Sequence, residues 1–396
     1  MAEYTRRYLK TILARMKEPR KFIQVVAGPR QVGKTTLVKQ FTSKAKEPCT
    51  FVAMDAIPAA SISSIASVWD AVRIQMKTSK AKSHILIFDE IQKVDDWSEQ
   101  VKKEWDADTW NNVNIKILLL GSSRLLIKKG FSESLAGRFE LIRIPHWSFA
   151  EMQDAFDFSL EQYLFFGGYP GSASLIKDEV RFLNYIKDTL VESTLSKDIL
   201  LLTPVAKPAL LRQLFELAAA NSGEPLALSK IQGQMQDAGN TVTLSHYLKL
   251  LDESGLVAGL EKYSGSVLRK RNSVPKYQVY NNALRNIYSG KNFKDAVRDA
   301  EGWGRIVESA IGAHLINNAA TEGMNLYYWR EQNSEVDFVL ESKQSIVAIE
   351  VKSGKRKNSE GLARFRKLYN PSSAFVVGTG GVPVEKFLKM NLVDLF

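Results

Sequence analysis

The feature that most restricts what this chain can fold into is an early loop, Gly28-Pro29-Arg30-Gln31-Val32-Gly33-Lys34-Thr35, which satisfies G-x-x-x-x-G-K-[ST] at every specified position. An apolar run, Phe22-Ile23-Gln24-Val25-Val26-Ala27, precedes it, and a helical stretch from Thr36 to Phe41 follows. In that setting the glycines let the backbone wrap phosphate oxygens, with amide N–H groups and a helix N-terminus facing the negative charge. The segment Gly28–Thr36 is then expected to hold the phosphates of a nucleoside triphosphate. Lys34 reaches the β/γ-phosphates, and the Thr35 hydroxyl completes a Mg2+ shell.

A second half of such a site stands downstream as His84-Ile85-Leu86-Ile87-Phe88-Asp89-Glu90. A buried strand here delivers two carboxylates to its carboxyl end, where open α/β sheets bind ligands. Asp89 is placed to hold Mg2+, directly or through water. Glu90 is placed to polarise an attacking water, which suits hydrolysis better than transfer to another acceptor. Asp89-Glu90 alone also describes a solvated strand end; the upstream loop decides between the two. Another strand, Ile117–Leu120, ends in Gly121-Ser122-Ser123-Arg124. Ser122 there either senses the γ-phosphate or belongs to an ordinary Gly-Ser turn. Arg138, closing Ser134-Leu135-Ala136-Gly137-Arg138, either stabilises transition-state charge in cis or in trans or is a surface residue.

β-like runs at Thr50–Met54, His84–Phe88, Ile115–Leu120 and Glu140–Ile144 alternate with helical stretches. The first of these is 4–18, with Tyr8, Ile12, Leu13 and Met16 at helical spacing. Such alternation predicts a parallel sheet covered on both faces, a P-loop core over 1–147. Residues 148–220 read as a helical region interrupted by Gly167-Gly168-Tyr169-Pro170-Gly171. Within 221–295, helices Leu226–Met235 and Thr243–Glu253 precede a strand at Leu256–Tyr263, a Ser264-Gly265-Ser266 turn and the basic Arg269-Lys270-Arg271. That order predicts a winged helix-turn-helix. Residues 296–396 form an α/β unit, with a helix at Gly304–Asn317 and strands at Asn325–Trp329, Glu335–Glu341, Ile346–Val351 and Ala374–Val377.

Composition bears on class and partners. Of 396 residues, 45% are hydrophobic and 24% charged, which excludes a disordered or fibrous chain. No apolar run approaches the ~18 residues of a membrane span. The opening MAEYTRRYLK lacks a secretory pattern. Cys49 is the sole cysteine, so no internal disulfide forms, and four scattered histidines give no zinc set. A cytoplasmic protein without membrane contact is expected. The net charge of +11 permits DNA as partner. Phosphate contacts would come from Arg269, Lys270, Arg271 and Lys276, and from Lys355, Arg356, Lys357, Arg364, Arg366 and Lys367. A solvated basic face has the same composition, and winged helices also pack against protein partners.

The C-terminal unit carries a second carboxylate group. If Glu335–Glu341 and Ile346–Lys352 form a hairpin closed at Ser342–Ser345, Asp337 faces Glu350 and Glu335 faces Lys352. One face is then Val336/Val351, Phe338/Ile349 and Leu340/Val347, and the other carries Asp337, Glu350 and Lys352. Opposed carboxylates repel, and a hard divalent ion would remove that cost, as in metal-dependent phosphodiester cleavage. A solvent-facing hairpin with a Glu335–Lys352 ion pair fits the same residues.

The GPRQVGKTT loop, ILIFDEIQ, LLGSS and SLAGR, followed by GRIVESAIGAHL, YYWR, SEVDFVL and AIEVKSG, resemble a family of bacterial and archaeal AAA-type ATPases over most of the chain. The C-terminal region of that family is catalogued as a domain of unknown function with a restriction-endonuclease-like fold. The resemblance implies an AAA core with a helical lid, a winged helix and a nuclease-like domain, and by analogy a homo-oligomer. On the PD-(D/E)xK pattern it implies Glu308 as helical acid, Asp337 and Glu350 as metal-binding acids, and Lys352 as the catalytic lysine; Val336 replaces the proline. Two departures are Asn281-Asn282, where the family usually has an aspartate near Tyr280, and leucine rather than threonine before the Gly-Ser-Ser tip.

Overall fold

Apolar runs too short for helices become strands, and here most lie within a residue of where the sequence puts them; the run at Leu256–Tyr263 is shorter, Val257–Leu260, and that at Asn325–Trp329 extends to Glu331. The structure, a computed structural model, describes residues 4–57, 61–121, 134–201, 203–233, 235, 240–264, 273–343, 345–354 and 360–396. The chain divides into two compact units, Met1–Ile144 and Pro145–Phe396.

In the first unit the elements run α1 (Tyr8–Lys17), β1 (Ile23–Ala27), α2 (Lys34–Thr42), β2 (Cys49–Ala53), α3 (Ile62–Ser79), β3 (His84–Asp89), α4 (Trp97–Trp110), β4 (Ile115–Gly121) and β5 (Phe139–Arg143). The five strands form one parallel sheet in the order β2-β3-β4-β1-β5. Strands β1, β3 and β4 are buried along their whole length, as a sheet covered on both faces requires. On one face Ile65, Trp69 and Val72 of α3 and Val101 and Trp105 of α4 pack against Leu86, Phe88, Ile117 and Leu119. Asp108 anchors that layer: it is 1% exposed, accepts from Trp69 Nε1 at 2.7 Å and pairs with Arg73 at 2.7 Å.

The second unit begins with helices α5 (Phe149–Phe156), α6 (Leu160–Phe166) and α7 (Glu179–Asn184). Both α5 and α6 start with reciprocal caps, Ser148 with Glu151 and Ser159 with Gln162. Then come α8 (Pro208–Ala220), α9 (Leu228–Gln232), α10 (Thr241–Glu253), the antiparallel pair β6 (Val257–Leu260) and β7 (Lys276–Val279), and α11 (Asn282–Asn286), α12 (Phe293–Arg298) and α13 (Ala300–Glu322). The Gly167–Gly171 interruption is a joint. A Cβ on Gly167 would lie 1.9 Å from Asn281 Oδ1, and one on Gly168 2.2 Å from the Trp147 carbonyl oxygen. Asn281 and Asn282 are buried at that joint; Asn282 Nδ2 donates to the carbonyls of Leu164 (2.8 Å) and Ile306 (2.9 Å).

Strands β8 (Asn325–Glu331), β9 (Ser334–Ser342), β10 (Ser345–Lys352) and β11 (Ser373–Gly378), with α14 (Glu360–Tyr369) between the last two and α15 (Val384–Phe387) after them, complete the unit. The sheet order is β11-β10-β9-β8, with only β10 and β11 parallel. Register between β9 and β10 is the expected one, from Ser342↔Ser345 to Phe338↔Ile349. The single-faced apolar reading needs correction. Between Tyr327↔Val339 and Trp329↔Val336 the pairing slips by one, so Asp337 and Phe338 together oppose Tyr328 in a bulge. Val336 therefore joins Val339, Ala348, Leu362 and Phe365 under α14, while Phe338 meets α13, where a Cβ on Gly312 would be 2.7 Å from its ring. Both faces are covered. No helix among the described residues is long and apolar enough to cross a membrane.

Candidate nucleotide site and carboxylate cluster

The loop between β1 and α2 takes the shape its residues allow. Gly33 sits at φ +86°, a left-handed conformation that costs glycine nothing, and Gln31 at φ 60°. Gly28 is required for space: a Cβ there would come within 2.1 Å of the Ile144 carbonyl oxygen. Lys34, 7% exposed, folds its ammonium back to donate to the carbonyls of Gly28 (2.9 Å) and Pro29 (2.8 Å). Lys34, Thr35 and Thr36 form the first turn of α2, whose amides have no acceptor within the helix.

Asp89 ends β3 beside this turn. The Thr35 hydroxyl donates to Asp89 Oδ2 at 2.8 Å, so the two oxygens are held together across 54 residues of sequence. Both are hard donors of the kind Mg2+ prefers. Glu90 follows at φ 51°, a conformation a non-glycine residue rarely adopts, and its Oε2 accepts from Gln92 Nε2. Gln92 is 8% exposed, and its Oε1 lies 3.4 Å from where a Gly121 Cβ would be. Gln92 thus stands between Glu90 and the tip of β4. Sequence reasoning missed Gln92; an amide two residues after the acidic pair was the available signal. It also missed Arg6, 3% exposed, whose Nη1 donates to the Val32 carbonyl at 3.1 Å and so braces the loop from the N-terminal segment.

Two other residues stand apart. Ser122 lies outside the described residues. Arg138 precedes β5, its carbonyl accepts from the Ile23 amide at 2.8 Å, and its guanidinium pairs with Asp106 at 2.9 Å. Ile23 opens β1 and the loop follows Ala27, so Arg138 is at the far end of the sheet, roughly 16 Å of strand from its own P-loop. The structure does not bring it to that site.

In the second unit Glu308 projects from α13, Asp337 from the β9 bulge, and Glu350 and Lys352 from the end of β10. Asp337 Oδ2 accepts from the Val351 amide at 2.7 Å. Burial, reinforced by Glu308, pushes Asp337 up to about 7. Glu350 is 7% exposed; its Oε1 pairs with Lys352, and its Oε2 is enclosed without a hydrogen-bond partner. The alternative Glu335–Lys352 pair is not formed; Glu335 lies 3.8 Å from Arg330 instead. Among the described residues, no group of three or more His, Cys, Asp or Glu is arranged to hold a metal ion.

The cation present here is one the sequence assigned elsewhere. Lys276, expected on a DNA-facing wing, is 3% exposed. Its Nζ donates to Glu308 Oε1 at 2.6 Å and to the Asp337 carbonyl at 3.1 Å, and stands 4.5 Å from the centre of the Phe338 ring. Desolvation lowers its pKa, but the fields of Glu308 and Asp337 outweigh that and raise it, so the ammonium stays charged. Lys276 is therefore not a phosphate contact. Of the other basic residues, Arg269–Arg271 and Lys355–Lys357 lie outside the described residues. Arg364 pairs with Glu331 at 3.3 Å, Arg366 donates to the Ala374 carbonyl at 3.1 Å, and Lys367 is exposed.

In comparison with known proteins, residues 20–153 match the AAA domain. Residues 157–295 match a domain of unknown function, DUF8612, and residues 303–393 another, DUF4143. Uncharacterized proteins of Methanocaldococcus jannaschii (23% identical, 82% of this chain and 74% of that one) and Haemophilus influenzae (23%, 83% and 82%) are similar along most of their length. Among solved structures, the RuvB Holliday junction branch migration motor of Thermotoga maritima is 16% identical, covers 63% of this chain and 88% of its own, and has a TM-score of 0.35. A replication initiator DnaA bound to AMPPCP and single-stranded DNA is 15% identical over 61% and 86%, with a TM-score of 0.30. The part of the first unit that carries the loop and the acidic strand end is thus similar to AAA domains.

Proposed function

We propose that this chain is a Mg2+-dependent ATP hydrolase that acts with DNA and uses ATP to switch its second unit. The observation that carries the ATPase reading is the 2.8 Å contact between Thr35 Oγ1 and Asp89 Oδ2 at the mouth of a glycine-shaped loop. Gly28–Thr36 and the Lys34 ammonium bind the phosphates, and Thr35 and Asp89 hold Mg2+, which when bound supplies charge neutralisation on the phosphate oxygens. Glu90, oriented by Gln92, takes the proton of the attacking water. Because Arg138 is remote from its own loop, its catalytic role belongs to a neighbouring copy in a homo-oligomer. DNA contacts fall to the basic segments Arg269–Arg271 and Lys355–Lys357 and to Lys367. In this reading 148–220 is the lid, 221–295 a winged helix and 296–396 a nuclease-like fold in which Lys276 balances Glu308 and Asp337 without metal, so that the domain is a binding module.

The test compares purified protein with Lys34→Ala and Glu90→Gln variants. Lys34→Ala should lose ATP binding, whereas Glu90→Gln should bind ATP and lose turnover by about 100-fold or more. Wild-type turnover by Glu90→Gln would overturn the assignment. One observation favours a second reading, a metal-dependent nuclease: the enclosed, partnerless Oε2 of Glu350, which a divalent ion would satisfy. Incubation with supercoiled and linear DNA, Mg2+ or Mn2+, with and without ATP, decides it. Cleavage lost in Asp337→Ala/Glu350→Ala establishes the nuclease; intact DNA with ATPase intact leaves the binding module.

A further inference from the structure

Next to the carboxylate cluster and apart from the P-loop, α11, α12 and the start of α13 line an open cleft of about 360 Å3 in the second unit, whose lining includes Arg285, Lys291, Arg305, Asp299 and Glu301. Helix α11 is locked in place, since Asn282 bonds to the Leu164 and Ile306 carbonyls and Asn286 Nδ2 to the Phe165 carbonyl at 2.7 Å. Arg285, between them, is thereby fixed against the cavity. Its Nη1 donates to the neutral Asn286 amide oxygen at 3.1 Å, while its Nε is enclosed with no acceptor. Among the described residues no carboxylate lies within ion-pair distance of it. Burial and the neighbouring Arg305 disfavour its charge, and the more distant Glu224 and Glu308 offset that only in part, so its pKa is lowered.

The acids that line the cavity are already engaged. Asp299 pairs with Lys291 and accepts from the first-turn amides of α13, and Arg305 is shared between Glu224 (3.0 Å) and Glu301 (3.1 Å). The lining thus holds three cations against two carboxylates, and Arg285 is the one of the three with no direct ion pair. An arginine that is partly desolvated, short of one acceptor and faced with open volume is matched by an oxyanion that fits a planar fork. The volume is in the range that holds a small ligand rather than a single ion.

We propose that this cavity binds a nucleotide-sized phosphomonoester, its phosphate held by the guanidinium of Arg285 and flanked by Arg305. The phosphate is either that of a free nucleoside monophosphate or the 5′-phosphate that ends a DNA strand. The site is independent of the P-loop, and the two are kept apart by working in full-length protein carrying Lys34→Ala. Titration calorimetry with inorganic phosphate, with AMP and with a short single-stranded oligonucleotide bearing 5′-phosphate or 5′-hydroxyl measures it.

AMP or the 5′-phosphorylated strand should bind one to one, weakening as salt rises. Arg285→Met should weaken that binding by about tenfold or more, and Arg285→Lys, which keeps charge but not the fork, by a similar factor. Arg305→Gln, a change at an exposed side chain, should weaken it by roughly threefold to tenfold without unfolding the unit. Preference for the 5′-phosphate strand over both AMP and the 5′-hydroxyl strand assigns the site to DNA ends; equal or tighter AMP binding assigns it to free nucleotide. Absence of binding by all phosphate probes at millimolar concentration, or affinities unchanged in Arg285→Met and Arg305→Gln, overturns the proposal.

Discussion

Lys276→Met isolates what a buried ammonium does between two acids. Methionine keeps the length and the packing on Phe338 but removes donors at 2.6 Å from Glu308 and 3.1 Å from the Asp337 carbonyl. Removing one partner of a buried ion pair costs about 3–5 kcal/mol, because the other charge is left uncompensated. The Glu308 side chain is 25% exposed and recovers some hydration, which favours the lower end, about 3 kcal/mol. In a unit of this size that is a fall in Tm of roughly 6–12 °C. Adding Glu308→Gln removes the stranded charge and should return about 1–3 kcal/mol of the loss. Thermal unfolding of the full chain by circular dichroism reads both changes, and millimolar Mn2+ should raise the Tm of Lys276→Met but not of the parent. A Lys276→Met protein within about 0.5 kcal/mol of the parent, or a double variant no better than the single, would refute the reasoning.

Other outcomes follow from the same coordinates. Gly361→Ala would place a Cβ 1.9 Å from the Glu335 carbonyl oxygen, forcing α14 off the sheet; a loss of about 1–3 kcal/mol or more in chemical denaturation is expected. Asp108→Ala leaves the Trp69 indole without its acceptor, while Arg73 keeps Glu104 and Asp70, and should cost about 1–3 kcal/mol, seen as a lower Tm of the first unit. Because Asp337 holds its proton to about pH 7 in the folded chain and to roughly 3.9 when unfolded, its contribution is fully present below pH ~4 and lost as pH rises through 7. Comparing Tm across that window in wild type and Asp337→Asn should show the fall only in the former.

Strands in this chain were legible because each is a local apolar run: His84–Phe88 and Ile115–Leu120 reappear as His84–Asp89 and Ile115–Gly121. The hairpin register of β9 and β10 was legible for a similar reason, since period-two alternation and a short closure leave few choices. The bulge was not, because it arises from pairing with β8, and slipping by one residue sends Val336 to the opposite face. Lys276 was misplaced because a lysine near a basic segment reads as solvent-facing. What buries it is Glu308, 32 residues away, and no local pattern encodes that distance. Of the nucleotide site, the loop and the acidic pair were visible as motifs. Arg6 and Gln92 act through single hydrogen bonds to those motifs and leave no spacing to detect.

The strand order β2-β3-β4-β1-β5 has a consequence for how the chain is made. Strand β1 is made before both of its neighbours, β4 and β5, which are encoded about ninety or more residues later. At roughly 5–20 residues per second, some 5–20 s pass between completion of β1 and emergence of β4. Throughout that interval Ile23-Gln24-Val25-Val26-Ala27 has no native edge to pair with, and the phosphate loop hangs from an unanchored strand. Premature pairing of β1 with the apolar β3, which is translated first but lies two places away in the finished sheet, is the misstep the nascent chain must avoid. The nucleotide site is therefore among the last features of its unit to mature, although its motif is among the first to be synthesised.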